Sequence, residues 1–280
     1  MKESSSGKAL AWKKLMLVPM EDNFHLLKTA EIPPEALQNI LVDIDRSVNE
    51  VKVSMGGGLD SETRDYNPTQ RKKELKEVLV AFARYNTTIE YCQGLSYYAA
   101  FLLQFFPAEE SFAILCRTIQ VNQIESLFDK QLSLVARVLS VHGRVLNLTL
   151  PESIRKSIQR IGNNSHDYAA GWYLTLFSRL SPSLYAEVLD LFFMHGFSVL
   201  FHVASALVEV GHYTYITGKP SEIDQQTQIL FKLAEFPIST KAFKAVLARN
   251  MQMLSTSDIN HMLGHLPMPG HLPLTTTNHH

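Results

Sequence analysis

The sequence predicts an all-α protein. Apolar residues recur at helical spacing along most of the 280 residues, and few segments alternate apolar and polar residues with period two. The most apolar stretch, residues 89–106 (IEYCQGLSYYAAFLLQFF), is too long for most strands, and Glu90, Gln93 and Gln104 make it too polar for a membrane span. No repeat of about forty residues recurs, which argues against a helical solenoid.

Composition limits the classes of function. Hydrophobic residues make up 46% of the chain, enough for a large core in one domain or two lobes. The 26 basic and 27 acidic residues nearly cancel, so nothing indicates nucleic-acid binding or a basic membrane patch. Cys92 and Cys116 lie in apolar helical stretches and are predicted to be buried free thiols. With no apolar segment of signal-peptide length at the start, we expect a soluble, cytoplasmic protein.

The first seventy residues contain one clear helix. Residues 1–8 are polar and are expected to be loose, and a short amphipathic segment is expected over 12–17. Two prolines open a helix over 33–46, in which apolar residues stand at i, i+3, i+4 and i+7 and Arg46 is the expected end. Residues 49–70 contain three consecutive glycines, but no strand precedes them and no Gly-Lys-Ser/Thr follows. We therefore predict a flexible loop there.

Helical spacing continues through the rest of the chain. Beyond the central stretch, helices are predicted over 73–85, 108–120, 132–146, 151–161, 171–180, 184–196, 199–210, 241–247 and 258–263, with one more after an N-cap signature at Ser221 and Asp224. Residues 264–280 are rich in proline and lack periodicity, so we predict a disordered tail.

Polar residues inside the central apolar stretch and the first predicted helix need an explanation. Gln93 lies in a segment predicted to be buried, where an unpaired amide costs about a few kcal/mol. The local pattern favours a core glutamine bonded to backbone over one that faces a cleft. Asp43 and Arg46 share the polar face of the first helix, where a solvated i,i+3 ion pair is the default interpretation.

Motifs that would give the chain catalytic chemistry of its own are not found. The sequence has no His-Glu-x-x-His, no Gly-x-Ser-x-Gly, no Cys-x-x-Cys, no Walker loop and no dinucleotide fingerprint. His261 and His265 have helical ligand spacing, but they lie beside the predicted tail, and we expect no metal site there. We therefore expect that the chain itself binds no cofactor.

Four stretches in a fixed order point to a family. Residues 40–46, ILVDIDR, match Ile-x-x-Asp-x-x-Arg, and residues 91–95, YCQGL, match Tyr-x-Gln with its following glycine. They are followed by WYLTLF at 172–177 and LDLFFMHGFSVLF at 189–201. This order and spacing resembles the TBC-domain family, the GTPase-activating proteins for Rab GTPases, over roughly residues 35 to 250.

The resemblance implies a two-lobed, V-shaped, all-helical domain. A partly ordered N-terminal segment would span residues 1–30, the N-terminal lobe 31–125, the C-terminal lobe 126–263 and the tail 264–280. Such a domain would bind a Rab GTPase in its GTP-bound state. The partner would bring GTP and Mg²⁺, which agrees with the lack of a phosphate loop. The resemblance also implies a role in vesicle trafficking, with recruitment to endomembranes through the Rab.

By motif position, the resemblance implies that Arg46 and Gln93 are the catalytic residues, supplied in trans. A planar guanidinium can pair with the oxygens on which charge develops during GTP hydrolysis. A carboxamide can accept a hydrogen bond from the attacking water and donate one to the γ-phosphate. The resemblance gives Asp43 the supporting task of orienting Arg46, and Tyr91 that of shaping the segment around Gln93.

The chain departs from the family pattern at supporting positions. Lys8 with Trp12 echoes an Arg-x-x-x-Trp signature, Ser47 stands in place of Thr, Ser96 in place of Asn, and Leu189 in place of Trp. Trp172 and Asp190 are expected to serve the core and the scaffold. Two alternatives stay open: a TBC fold that binds a GTPase without accelerating hydrolysis, and an unrelated helical interaction domain. The presence of both Arg46 and Gln93 favours catalysis, because a scaffold needs neither.

Overall fold

The computed structural model describes residues 5–16, 23–54, 67–161, 165–217 and 223–264. Over these residues the chain forms α-helices, one short 3₁₀ helix and no strand, which confirms the predicted fold class. The helices are α1 Ser5–Met16, α2 Phe24–Leu27, α3 Pro34–Ser54, α4 Pro68–Tyr85, α5 Leu95–Leu102, α6 Ala108–Asn122, α7 Glu125–Phe128, α8 Val135–Thr149, α9 Glu152–Ile161, α10 Ser165–Leu174, α11 Pro182–His195, α12 Val199–Tyr215, α13 Ile223–Phe231, α14 Thr240–Met253 and α15 Thr256–Leu263, and the 3₁₀ helix is Leu233–Glu235. No helix in the described ranges is both long and apolar enough to cross a membrane.

The helices pack in two groups. In the first, α3 packs against α4 and α5, and α4 packs against α6. In the second, α12 packs against α14, α8 and α11, and α8 packs against α10 and α15. One hydrophobic cluster continues through both groups, and the rings of Phe101 and Tyr185 meet edge-on across them with centroids 4.6 Å apart. The boundaries proposed above for the two lobes stay a prediction.

Helix α3 is longer than the sequence predicted. Ile40, Ile44 and Val48 are buried along one stripe, so the apolar pattern continues past residue 46. The expected end at Arg46 is therefore wrong, and Arg46 lies in the interior of the helix. The predicted loop over 49–70 is wrong at both ends, since helix covers 49–54 and 68–70, while residues 55–66 lie outside the described part of the chain.

The central stretch is helical only in its second part. The length and apolar composition of residues 89–106 favour one helix through the whole stretch, but only α5 is helical, because the backbone turns before Leu95 and again through residues 103–106. Gly94 adopts a φ of 111°, a conformation that glycine adopts far more readily than other residues. Apolar composition predicted the burial of most of this stretch correctly, but it could not show where the helix starts.

Helix α10 also differs in position from the helix that the sequence predicts. The helix predicted over 171–180 instead covers Ser165–Leu174, and residues 175–179 form turns. Leu176 and Phe177, both fully buried, have φ angles of 48° and 61°. Two consecutive bulky residues in the left-handed region are uncommon, and the surrounding core must hold them there.

Helix α1 joins the two groups of helices. The loose segment predicted for residues 1–8 is wrong from Ser5 onward, and α1 packs against both α6 and α11. Trp12 is buried, and its indole Nε1 donates to Asp190 Oδ1 of α11 at 2.7 Å. The Lys8 ammonium also binds Asp190, and the Lys13 ammonium binds Glu110 of α6. Asp190 therefore has the scaffolding role expected of it.

Other predictions have mixed outcomes. Cys92 and Cys116 are free, and Cys116 is buried while Cys92 is half-buried. Trp172 is buried in the core as predicted. Several predicted features lie outside the described residues: the C-terminus of α9 at Gly162, the N-cap at Ser221, His265, and the tail from 265 to 280.

Candidate functional site

Arg46 lies on the outer face of α3 with its side chain 57% exposed. Asp43, one turn earlier, is buried, and its Oδ1 is 3.8 Å from Arg46 Nη1. The i,i+3 pair expected from the sequence is present, but one partner is buried, so it is not the solvated pair of the default interpretation. A carboxylate at this distance restricts the guanidinium without covering it, and the donors of Arg46 remain available to another molecule.

Gln93 is exposed. The interpretation favoured by the local pattern, a core glutamine bonded to backbone, is therefore wrong. The two residues before it, Tyr91 and Cys92, are half-buried. Leu95 and Tyr98 follow in α5 and are fully buried, whereas the turn directs position 93 toward solvent. An exposed amide pays no desolvation cost and is free to bind a partner.

The segment that carries Gln93 is held from its N-terminal side. Asn86 Oδ1 accepts hydrogen bonds from the backbone N–H groups of Thr88 at 3.2 Å and Ile89 at 2.9 Å, which closes a turn at the end of α4. Ile89 is buried. Glu90 has a φ of 53°, and its Oε1 binds Lys130 Nζ at 3.0 Å. These contacts limit the conformations open to the segment.

Tyr91 ties this segment to α3. Its hydroxyl donates to Asp43 Oδ2 at 2.7 Å, so one buried carboxylate contacts both Tyr91 and Arg46. Burial raises the pKa of Tyr91 well above its usual range, which keeps the phenol protonated and able to donate. The bond joins the element that carries Arg46 to the one that carries Gln93.

Gly94 supports the segment from the other side. A Cβ placed on Gly94 would lie 2.7 Å from the carbonyl oxygen of Leu174 and 3.3 Å from Thr175 Cγ2. The backbone next to Gln93 therefore lies directly on the C-terminal end of α10. Both the close approach and the positive φ require glycine at this position.

The residues around the site are poorly suited to nucleophilic catalysis. Burial raises the pKa of Cys92 to about 11, with smaller contributions from Asp43 and Asp129, so the thiol is neutral at physiological pH. Among the described residues, no three His, Cys, Asp or Glu side chains are grouped closely enough to hold a metal ion. The arrangement instead presents an exposed guanidinium and an exposed carboxamide on two elements that are bonded together.

Sequence reasoning missed one contact at the site. Ser47 and Ser96, noted above only as departures from the family pattern, are both fully buried, and their hydroxyl oxygens are 2.7 Å apart. Their position in that pattern was the only signal available, because no local periodicity links residues that are far apart in the chain.

Comparisons with known proteins agree on the family. Residues 9–213 match the family described as RabGAP-TBC, the Rab-GTPase-TBC domain. Rab GTPase-activating protein tbc-11 of Caenorhabditis elegans is 28% identical over 198 residues, which cover 67% of this chain and 19% of that protein. The ecotropic viral integration site 5 ortholog of Drosophila melanogaster is 26% identical over 167 residues, covering 59% of this chain and 20% of that protein. The matched region thus spans about a fifth of the length of these relatives.

A solved structure supports the fold. The crystal structure of the TBC domain of Skywalker/TBC1D24 from Drosophila melanogaster matches with a TM-score of 0.56 and 15% sequence identity, covering 94% of each chain. At that identity the similarity shows a shared all-α fold alone.

Proposed function

Because the chain belongs to the Rab-GTPase-TBC domain family, we propose that it accelerates GTP hydrolysis by a Rab-type GTPase bound in its GTP form. One observation carries the proposal. Arg46 and Gln93, the two positions that the motifs mark as catalytic, are both exposed, and the hydrogen bond from Tyr91 to Asp43 joins the elements that hold them. The GTPase would supply the nucleotide and Mg²⁺, and it would also bring the protein to endomembranes.

In this proposal Arg46 acts as an arginine finger. Negative charge on the transferring phosphoryl group and its bridging oxygen increases toward the transition state. The guanidinium of Arg46 presents donors in a fixed plane, and it can bind two of these oxygens at once. The buried carboxylate of Asp43, 3.8 Å away, would restrict the side chain before the GTPase docks. Less ordering would then be needed in the transition state.

Gln93 would orient the attacking water. Its amide oxygen can accept a hydrogen bond from that water while its amide nitrogen donates to the γ-phosphate. Positioning of this kind requires a rigid support. The turn closed by Asn86, the Tyr91 bond to Asp43 and the packing of Gly94 on Leu174 would provide that support.

Single-turnover GTP hydrolysis across a panel of Rabs tests the proposal. The wild-type chain is expected to accelerate at least one Rab, and Arg46→Ala is expected to abolish most of that acceleration. Lys156→Ala is a suitable control, because Lys156 is an exposed cation in an i,i+4 pair with Glu152 on α9, in a different helix from the site. Failure of the wild-type chain to accelerate any Rab would contradict the proposal.

Comparing how tightly the chain binds two nucleotide-bound forms of a Rab distinguishes an activator from a scaffold. An activator recognises the transition state, so a Rab carrying GDP, aluminium fluoride and Mg²⁺ is expected to bind more tightly than the same Rab with GDP alone. Equal binding of both forms, together with unchanged hydrolysis, would favour the alternative of a GTPase-binding scaffold.

A further inference from the structure

The elements that carry Arg46 and Gln93 are joined at a second point. The hydroxyls of Ser96 and of Ser47, the neighbour of Arg46, form a hydrogen bond with their oxygens 2.7 Å apart, and both side chains have no solvent exposure. Ser96 belongs to α5 and follows Gln93 by three residues. The segment around Gln93 is therefore bonded to α3 on both sides, through Tyr91 before it and through Ser96 after it.

The two bonds form one connected cluster. Asp43 and Ser47 are one turn apart on α3, and the Ser47 hydroxyl lies 2.8 Å from the Asp43 carbonyl oxygen. Burial dominates the raised pKa of Tyr91, but the Ser96 hydroxyl lies beside the phenol and partly opposes that effect. A shift of α3 along or about its axis would have to break the Tyr91 contact and the Ser96 contact together.

We propose that Ser47 and Ser96 are positioning residues that set the placement of Arg46 relative to Gln93; the inference rests on the proposed GTPase-activating function. Arg46 is adjacent to Ser47 in sequence, and α3 is the element on which both reside. Neither serine reaches solvent, so neither can touch the GTPase or its nucleotide. Any effect of their removal on hydrolysis per folded molecule must therefore act through the geometry of the two exposed side chains.

The chain offers a matched control. Thr118 Oγ1 and the Tyr98 hydroxyl form another buried hydroxyl pair, 2.8 Å apart, and Tyr98 lies on α5 as Ser96 does. That pair joins α5 to α6 and leaves α3 untouched. Thr118→Val removes a hydrogen bond of the same kind from the same helix without loosening the link to Arg46.

The test is a double-mutant cycle in single-turnover hydrolysis. Ser47→Ala and Ser96→Ala are each expected to lower kcat about tenfold with little change in KM, which corresponds to about 1.4 kcal/mol. Because both variants remove the contact between Ser47 and Ser96, the loss in the double variant is expected to be smaller than the sum of the two single losses. Thr118→Val is expected to lower the melting temperature while keeping the wild-type kcat per folded molecule.

Amide hydrogen exchange provides a readout that does not depend on activity. Ser47→Ala should speed exchange of the amides of residues 89–94, and Thr118→Val should not. Wild-type kcat and wild-type exchange in both serine variants would overturn the inference, as would additive losses in the double variant. If the wild-type chain accelerates a Rab but the serine variants give either of these contradicting results, the positioning role fails and the proposed function stands. If the wild-type chain accelerates none, the proposed function itself fails and the inference falls with it.

Discussion

Replacement of Gly94 by alanine would disturb the support of Gln93 without touching Gln93 itself. Two effects act together at this position. At φ 111° an alanine is strained, at a cost of about 1–3 kcal/mol. Its Cβ would also meet the carbonyl oxygen of Leu174 at 2.7 Å, a backbone atom that cannot rotate away. The segment must therefore move off α10 or adopt another turn.

Both stability and rate are expected to fall. A cost of at least about 2 kcal/mol lowers the melting temperature by at least about 4 °C in a domain of this size. The larger effect is on catalysis, because a displacement of about 1 Å at a positioned group can cost roughly 10²-fold in rate. Thermal melting and single-turnover hydrolysis, measured on the same Gly94→Ala sample, give both quantities.

Gly171→Ala is the matched control. Gly171 lies within α10, and a Cβ added there would meet no atom within 4 Å beyond its chain neighbours and the backbone of its own helix. Alanine in a helix interior is favoured over glycine by about 0.5–1 kcal/mol, so this variant should be slightly more stable and fully active. Wild-type melting and rate in Gly94→Ala would refute the packing argument. A lowered melting temperature with a wild-type rate per folded molecule would refute the role of Gly94 in placing Gln93.

Arg46→Ala should lower stimulated hydrolysis by about 10³ or more while leaving the melt unchanged, and Arg46→Lys should recover little, because an ammonium lacks the planar donors; a lysine variant at the wild-type rate would contradict the assignment. His202 is fully buried, and burial lowers its pKa to about 4. As the pH falls, this histidine is therefore protonated in the unfolded chain before it is protonated in the folded chain. Stability should drop by up to about 3 kcal/mol between roughly pH 6.5 and pH 4, and His202→Leu should remove that part of the slope in pH-dependent melts. Asp190→Ala removes the acceptor of Trp12 and should cost about 1–3 kcal/mol in denaturant unfolding, whereas an unchanged midpoint would mean that α1 contributes no stability through this contact.

Helix existence was predictable from the sequence because burial of an apolar stripe is a local property. The helix expected over 108–120 is observed as Ala108–Asn122, and the one expected over 184–196 as Pro182–His195. Helix limits were less predictable, because they depend on distant contacts. Val48 extends α3 past its expected end since the rest of the first helix group covers it, and no residue near position 46 stops the helix.

The exposure and contacts of the site residues were also hard to predict, because they depend on distant parts of the chain. Gln93 lies in an apolar stretch most of which is buried, and local composition therefore favoured a core position for it. Its exposure follows from the turn at Gly94, which depends on the end of α10 some eighty residues later. The burial of Asp43 likewise depends on Tyr91, a residue from another part of the chain. Motif order identified the residues, but the contacts between them required the folded structure.

The most direct test of the proposed mechanism uses a Rab whose own switch glutamine has been replaced. Single-turnover hydrolysis by that Rab is measured with wild-type chain and with Gln93→Ala, and the melting temperature of each sample is recorded. Because Gln93 is exposed, its truncation should leave the melt unchanged. If Gln93 orients the water in trans, the wild-type chain still accelerates the altered Rab and Gln93→Ala does not. Equal acceleration by both chains, or none by the wild-type chain on a Rab that it activates when unaltered, would contradict the mechanism.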